Sequence, residues 1–143
     1  MVAPNDISDC ADCLCLASRR AARTITRAYD RRLRPHGIRI TQFTILAMLM
    51  LRGPTALGGL AQGLGLERTT LTRNLELLQA KGWVSVRSGY DDGRARIITV
   101  TKTGRALVHN AYPDWRKIQD RISGEVGLAG VDALHKLAMT PIR

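Results

Sequence analysis

No stretch of this 143-residue chain approaches the roughly 18 consecutive apolar residues that a membrane-spanning helix requires. Its first residues, Met1-Val2-Ala3-Pro4-Asn5-Asp6, lack the basic and apolar regions of a secretion signal, so the expected location is the cytoplasm, where thiols stay reduced. Aromatic residues are scarce: one Phe, two Trp and three Tyr make up 4% of the chain. The apolar share rests mainly on Ala and Leu, the composition of a mostly helical protein. Acidic residues are few as well, 12 Asp and Glu against 22 Lys and Arg, which leaves a formal charge of +10. An excess of that size on a small chain selects a polyanionic partner, nucleic acid before membrane. No Ser–His–Asp set and no suitably paired carboxylates emerge. Gly58, Gly59, Gly63 and Gly65 come without the lysine of a phosphate-binding loop, and together these absences argue against an enzyme. Repeats and low-complexity segments are also missing, and the length suits one domain with a hydrophobic core rather than two.

What is present is mostly helical periodicity. Leu14, Ser18, Ala21, Ile25 and Ala28 follow a 4-3-4-3 spacing that makes one stripe on a helix reaching about Leu33, and Pro35 and Gly37 end it. A second helix is expected from Thr41, as N-cap, to Leu51, with Gly53-Pro54 as its stop. Two short helical patterns follow, Leu57 to Leu64 and Leu71 to Leu78, divided near Gly65. Trp83 to Arg87 and Arg94 to Val100 read as strands joined by a turn over residues 88 to 93. Thr101 to about Ser123 reads as a long helix bent near Pro113, and Val131 to Met139 as a short final one.

The residues with chemical character sit in the middle of this pattern. Ala61, then Gly65 four residues on and Leu71 six beyond it, match a helix-turn-helix: a small residue allows close helix approach, glycine makes the turn, and the leucine locks the second helix down. With Leu71, Leu75 and Leu78 facing inward, the outer face of the second helix carries Arg68, Thr69, Thr70, Thr72, Arg73 and Asn74. Arginine can pair bidentately with guanine, asparagine with adenine, and threonine with a phosphate or a thymine methyl, so this face suits a major groove. Only Glu67 is acidic there. The hairpin then offers Arg94 and Arg96, suited to the negative potential of a narrow minor groove, with Asp91 and Asp92 placed to orient them.

Together these residues resemble the multiple-antibiotic-resistance regulator (MarR) family. The likeness is carried by Leu60-Ala61 through Leu64-Gly65-Leu66, Thr70-Leu71-Thr72-Arg73 with Leu75, Gly82-Trp83-Val84, Asp92-Gly93-Arg94 and Val100-Thr101-Lys102-Thr103-Gly104. It implies a mainly α fold in one domain over residues 1–143: a winged helix-turn-helix lobe at 41–100 with a two-stranded β-wing, and a dimerisation base from helices within 14–36 and 101–143. It further implies a homodimer on a pseudo-palindromic operator in double-stranded DNA, acting as a regulator of transcription, in the expected case a repressor. Arg94 would be the wing residue for the minor groove and residues 68 to 74 would lie in the major groove. The stripe at 14 to 28 and the apolar final helix independently call for burial against a partner.

Two features bear on what such a regulator senses. Cys10, Cys13 and Cys15 cluster, and three readings remain open. Metal binding would need a fourth ligand, and His36, His109 and His135 are scattered, so no metal or other cofactor is expected. A redox switch would use Cys15 at the start of the first helix, near Arg19 and Arg20. In that case Cys15 and Tyr29 resemble the reactive cysteine and supporting tyrosine of the family's organic-hydroperoxide branch, although Arg19 stands where that branch has another tyrosine. The third reading makes the cysteines small buried residues at a dimer interface. Alternatively the inducer is a small aromatic ligand, for which Tyr29, His36, Tyr112 and Trp115 are the candidate pocket residues. The rival functions are a thiol-based peroxide-handling enzyme and a non-specific architectural DNA-binding protein.

Overall fold

The computed structural model describes residues 6–89, 93–140 and 142. A 3-10 turn over Ser8–Asp12 precedes five helices and three strands: α1 Leu14–Leu33, α2 Ile40–Arg52, β1 Thr55–Ala56, α3 Leu57–Leu64, α4 Arg68–Ala80, β2 Val84–Ser88, β3 Arg96–Val100 and α5 Lys102–Met139. Among the described residues no helix is long and apolar enough to cross a membrane.

α2 is the hub, burying Phe43, Ile45, Leu46 and Leu49. Its N-cap is Arg39 rather than Thr41, because Asp30 Oδ1 accepts the Ile40 N–H at 2.8 Å and Gln42 Oε1 accepts the Arg39 N–H at 3.2 Å. These carboxylate and amide oxygens satisfy donors that the helix start leaves without partners. Leu60 and Ala61 of α3 and Leu71, Leu75 and Leu78 of α4 close over the other side of the same core. Each fully buried leucine contributes roughly 1.5–3 kcal/mol, which holds α4 at a fixed angle to α3. Between the two helices Gly65 takes φ +63°, and the Leu66 N–H reaches back to the Ala61 carbonyl at 3.0 Å, closing α3. A side chain with a Cβ would be strained there.

The hairpin is as the strand pattern predicts, with Val84 opposite Val100 and Ser88 opposite Arg96. Sequence reading misses β1, a two-residue strand that pairs Thr55 with Ile98 and Ala56 with Ile97 and extends the two-stranded wing to a three-stranded antiparallel sheet. α5 departs from expectation in another way. Its backbone stays helical at Pro113, between buried Ala111 and Ile118, and the break falls at Gly127, with φ 71° and ψ 172°. Packing on both sides of the proline holds the helix together despite the lost donor, whereas Gly127 has no buried neighbour and takes dihedrals that other residues avoid.

The core does not extend to the ends of α1 and α5. Residues 14 to 24 of α1 are all exposed, and so is nearly everything after Gly127; Leu14 is 84% exposed and Leu128 85%. Between these helices runs a groove of about 660 Å³ that includes Ile25, Ala28, Ile118, Ile122 and Val126.

Candidate nucleic-acid interface

α4 divides into two faces. Leu71, Leu75 and Leu78 are buried, while Arg68, Thr69, Thr70 and Arg73 are exposed together at its first two turns. The N-cap Glu67 places one carboxylate at the positive end of the helix dipole, but the first turn itself holds no acidic residue and begins with Arg68. Exposed backbone N–H groups, hydroxyls and guanidinium groups at such an end suit an anion such as a phosphate.

Two of the six residues named on this face are differently placed. Thr72 is half-buried and lines a small gap between α4 and the sheet, beside Arg96 and Ile98. Asn74 is also half-buried, and its amide donates to the Thr70 carbonyl at 2.9 Å, back along its own helix. In the unbound chain its hydrogen-bonding group is therefore engaged, and a base edge would have to compete for it.

Arg68 has a specific seat. A Cβ at Gly58 would fall 2.7 Å from an Arg68 guanidinium nitrogen, so the absence of a side chain at the start of α3 lets this arginine lie across it. Arg96 is exposed on β3, and Arg94 is exposed in the turn just before it. Tyr90, Asp91 and Asp92 lie outside the described residues, and with them the expectation that the two aspartates orient the arginines.

The lobe is tied to α5 by backbone groups. Thr101 donates its N–H to the Trp83 carbonyl at 3.0 Å and its hydroxyl to the Gly82 carbonyl at 2.6 Å. The same hydroxyl accepts the Gly104 N–H at 3.1 Å and so caps α5. This clasp is the physical content of Gly82-Trp83 and Thr101-Lys102-Thr103-Gly104, two stretches that sequence reading treats as separate signatures.

The structure brings together the four residues named as a ligand pocket, but as packed contacts. Trp115 stacks on Phe43 at 6.0 Å between ring centres and on Tyr112 at 5.6 Å, with Tyr29 tilted against it at 6.5 Å. The buried Tyr29 hydroxyl donates to Gln119, and burial pushes its pKa above the ordinary tyrosine value. His36 Nε2 lies 2.8 Å from Asp114 Oδ2, and Arg32 pairs with the other carboxylate oxygen at 3.0 Å. The hydrogen bond from His36, with the positive charge of Arg32 behind it, holds the Asp114 carboxyl below the usual carboxylate range. None of the four lines either of the two cavities, of about 620 and 660 Å³, beside α1. Cys10, Cys13 and Cys15 are exposed in the single chain, Cys13 as the N-cap of α1 and Cys15 in its first turn.

Residues 36–95 match the profile of the MarR family. Over 82 residues, 57% of this chain, the sequence is 32% identical to an uncharacterised helix-turn-helix-type transcriptional regulator of Bacillus subtilis, YwoH; the match spans 59% of that relative's length. The transcriptional regulator MosR of M. tuberculosis, solved in complex with DNA, is 39% identical. It superposes with a TM-score of 0.75 over 90% of this chain and 99% of its own. A mutant of E. coli MarR solved with operator DNA shares the fold, with a TM-score of 0.80 at 21% identity over 94% of this chain and 96% of its own. With a winged helix-turn-helix on α3, α4 and the β2–β3 hairpin, and a relative of this identity matched over almost its whole length, the chain belongs to the MarR family of transcriptional regulators.

Proposed function

We propose that two copies of this chain form a homodimer that occupies a pseudo-palindromic operator in double-stranded DNA and represses transcription in the cytoplasm. The observation that carries the reading is the outer face of α4, where Arg68, Thr69, Thr70 and Arg73 stand exposed above a buried leucine row. In the major groove Arg73 reads a guanine edge, Arg68 and the threonines hold phosphates, and Arg94 with Arg96 follows the adjacent minor groove. MosR and E. coli MarR, each solved with DNA, support the same use of the fold. The exposed apolar ends of α1 and α5 supply the dimer contact, since leucines as exposed as Leu14 and Leu128 gain most from burial.

The test is binding of the chain to the DNA upstream of its own gene, against random duplex of equal length. Equal affinity for both would make it an architectural protein, and catalytic turnover of peroxide would make it an enzyme. Arg73→Ala is expected to cost about 1–3 kcal/mol of operator affinity and to relax preference at one base position; a loss uniform across sequences would reassign Arg73 to a phosphate. Arg94→Ala is expected to weaken operator binding while light scattering still reports a dimer, and unchanged affinity in a folded dimer would remove the wing from the interface. Release follows a small aromatic ligand or oxidation of an exposed thiol, Cys15 first. Peroxide that weakens binding by the wild type but not by Cys15→Ser would choose the thiol.

A further inference from the structure

The end of α1, the start of α2 and the end of α4 surround a cavity of about 620 Å³ whose charge is one-sided. Arg27, Arg31, Arg34, Arg39 and Lys81 line it, against Asp30 as the one carboxylate among the described lining residues. Asp30 is already engaged, accepting the Ile40 N–H at 2.8 Å. Among the described residues the ion pairs join Arg32 and His36 to Asp114, Arg116 to Asp120 and Arg121 to Glu125. Among the described residues, none of the five cations of the cavity has a carboxylate within ion-pair distance. The rest of the lining includes Trp83, Ile38 and Leu77, and the Lys81 ammonium sits 5.9 Å from the centre of the Trp83 ring.

We propose that this cavity is a regulatory site for a multiply phosphorylated small molecule that carries a flat ring, of the nucleoside di- or triphosphate class. Its volume lies within the range of small-molecule sites, roughly 300–1,000 Å³. Arginine forks match phosphate oxygens bidentately, and four of them between the end of α1 and the start of α2, faced by Lys81 at the end of α4, can hold a chain of phosphates rather than a single anionic group. A single aromatic carboxylate would leave most of the positive charge unbalanced. The indole lies beside the cations, and a ligand ring that displaces Lys81 from over it can stack there.

A DNA backbone is the less fitting occupant. The cavity borders the end of α4, some 18 Å from Arg68 at the 1.5 Å rise of a helix, and it is concave where a groove contact would be a ridge. A ligand here touches α1 and α2 on one side and α4 with Trp83 on the other, so it favours one setting of the reading helix over another. By linkage, operator DNA and ligand then change each other's affinity by the same factor. This regulatory half rests on the operator-binding reading above, whereas binding of the ligand does not.

The experiment is calorimetric titration of the DNA-free protein with ATP, inorganic pyrophosphate and benzoate at one fixed ionic strength. ATP is expected to bind at one site per chain, pyrophosphate more weakly, and benzoate at least tenfold more weakly than ATP. Arg34→Gln combined with Lys81→Gln, and separately Arg39→Gln, should each lower ATP affinity, the double variant at least tenfold, with unchanged circular dichroism. Arg68→Ala and Arg73→Ala should leave ATP affinity as it is. The proposal is overturned if ATP gives no saturable heat, if the double variant binds it as well as wild type, or if Arg68→Ala removes the site. It is equally overturned if the double variant, without ATP, loses as much operator affinity as Arg73→Ala, because the cavity would then be a DNA contact. ATP binding intact in a protein that selects no operator would leave the site standing and remove only the operator reading.

Discussion

Replacing Gly104 by alanine is expected to destabilise the protein by roughly 1–3 kcal/mol, the usual cost of forcing a methyl group into a packed site. Gly104 is buried in the first turn of α5, where an added Cβ would collide with the Trp83 carbonyl oxygen and stand 3.0 Å from both the Trp83 carbonyl carbon and Val100 Cγ2. The colliding atom is backbone, and it is already committed as acceptor to the Thr101 N–H at 3.0 Å. Relief would require moving the clasp that joins the hairpin to α5. Alanine is a better helix former than glycine by about 1 kcal/mol in a helix interior, which reduces the penalty but does not cancel it. Gly58→Ala is the control: there the methyl meets only the end of the Arg68 side chain, which can swing aside. Urea unfolding should show a lower midpoint for Gly104→Ala and a nearly unchanged one for Gly58→Ala. Equal midpoints for Gly104→Ala and wild type would mean the clasp is not a fixed contact.

Operator affinity is expected to fall by about 10³ to 10⁵ between 50 and 200 mM salt, the range for six to ten phosphate contacts. Each lobe offers Arg68, Arg73, Arg94 and Arg96 with the hydroxyls of α4, on a chain of net charge +10, and a dimer doubles the set. Counterion release gives a slope of about −0.9 per phosphate neutralised, so log affinity should be linear in log salt. Fluorescence anisotropy on labelled duplex across a salt series reads the slope directly. A shallow slope would mean that apolar or neutral contacts carry the binding, and the basic face of α4 would then have another use.

The reading face of α4 is legible in the sequence because helical periodicity is local. Once Leu71, Leu75 and Leu78 are inward, the exposure of Arg68, Thr69, Thr70 and Arg73 follows from 3.6 residues per turn. The same logic misjudges Asn74, whose amide turns back to Thr70, because periodicity says which face a side chain is on and not what it binds. Gly65 is legible as a turn, since only a few residues accept its dihedrals. β1 is not, because two residues show no strand period and their strand character comes from Ile97 and Ile98, some forty residues away. The break in α5 at Gly127 rather than Pro113 also depends on packing, as Ala111 and Ile118 are buried around the proline.

By itself, then, the sequence determined the helices, the hairpin, the turn at Gly65 and the basic outer face of α4, all consequences of neighbours within a few residues. Tertiary structure alone decided how Gly82 and Trp83 meet Thr101 and Gly104, and that Tyr29, His36, Tyr112 and Trp115 pack against neighbours rather than line either large cavity. It also decided that Arg27, Arg31, Arg34, Arg39 and Lys81 share one cavity. Those cations look in sequence like scattered solubilising charges. They meet because the ends of α1 and α4 and the start of α2 border one cavity, and that placement depends on the packing of the whole chain at once.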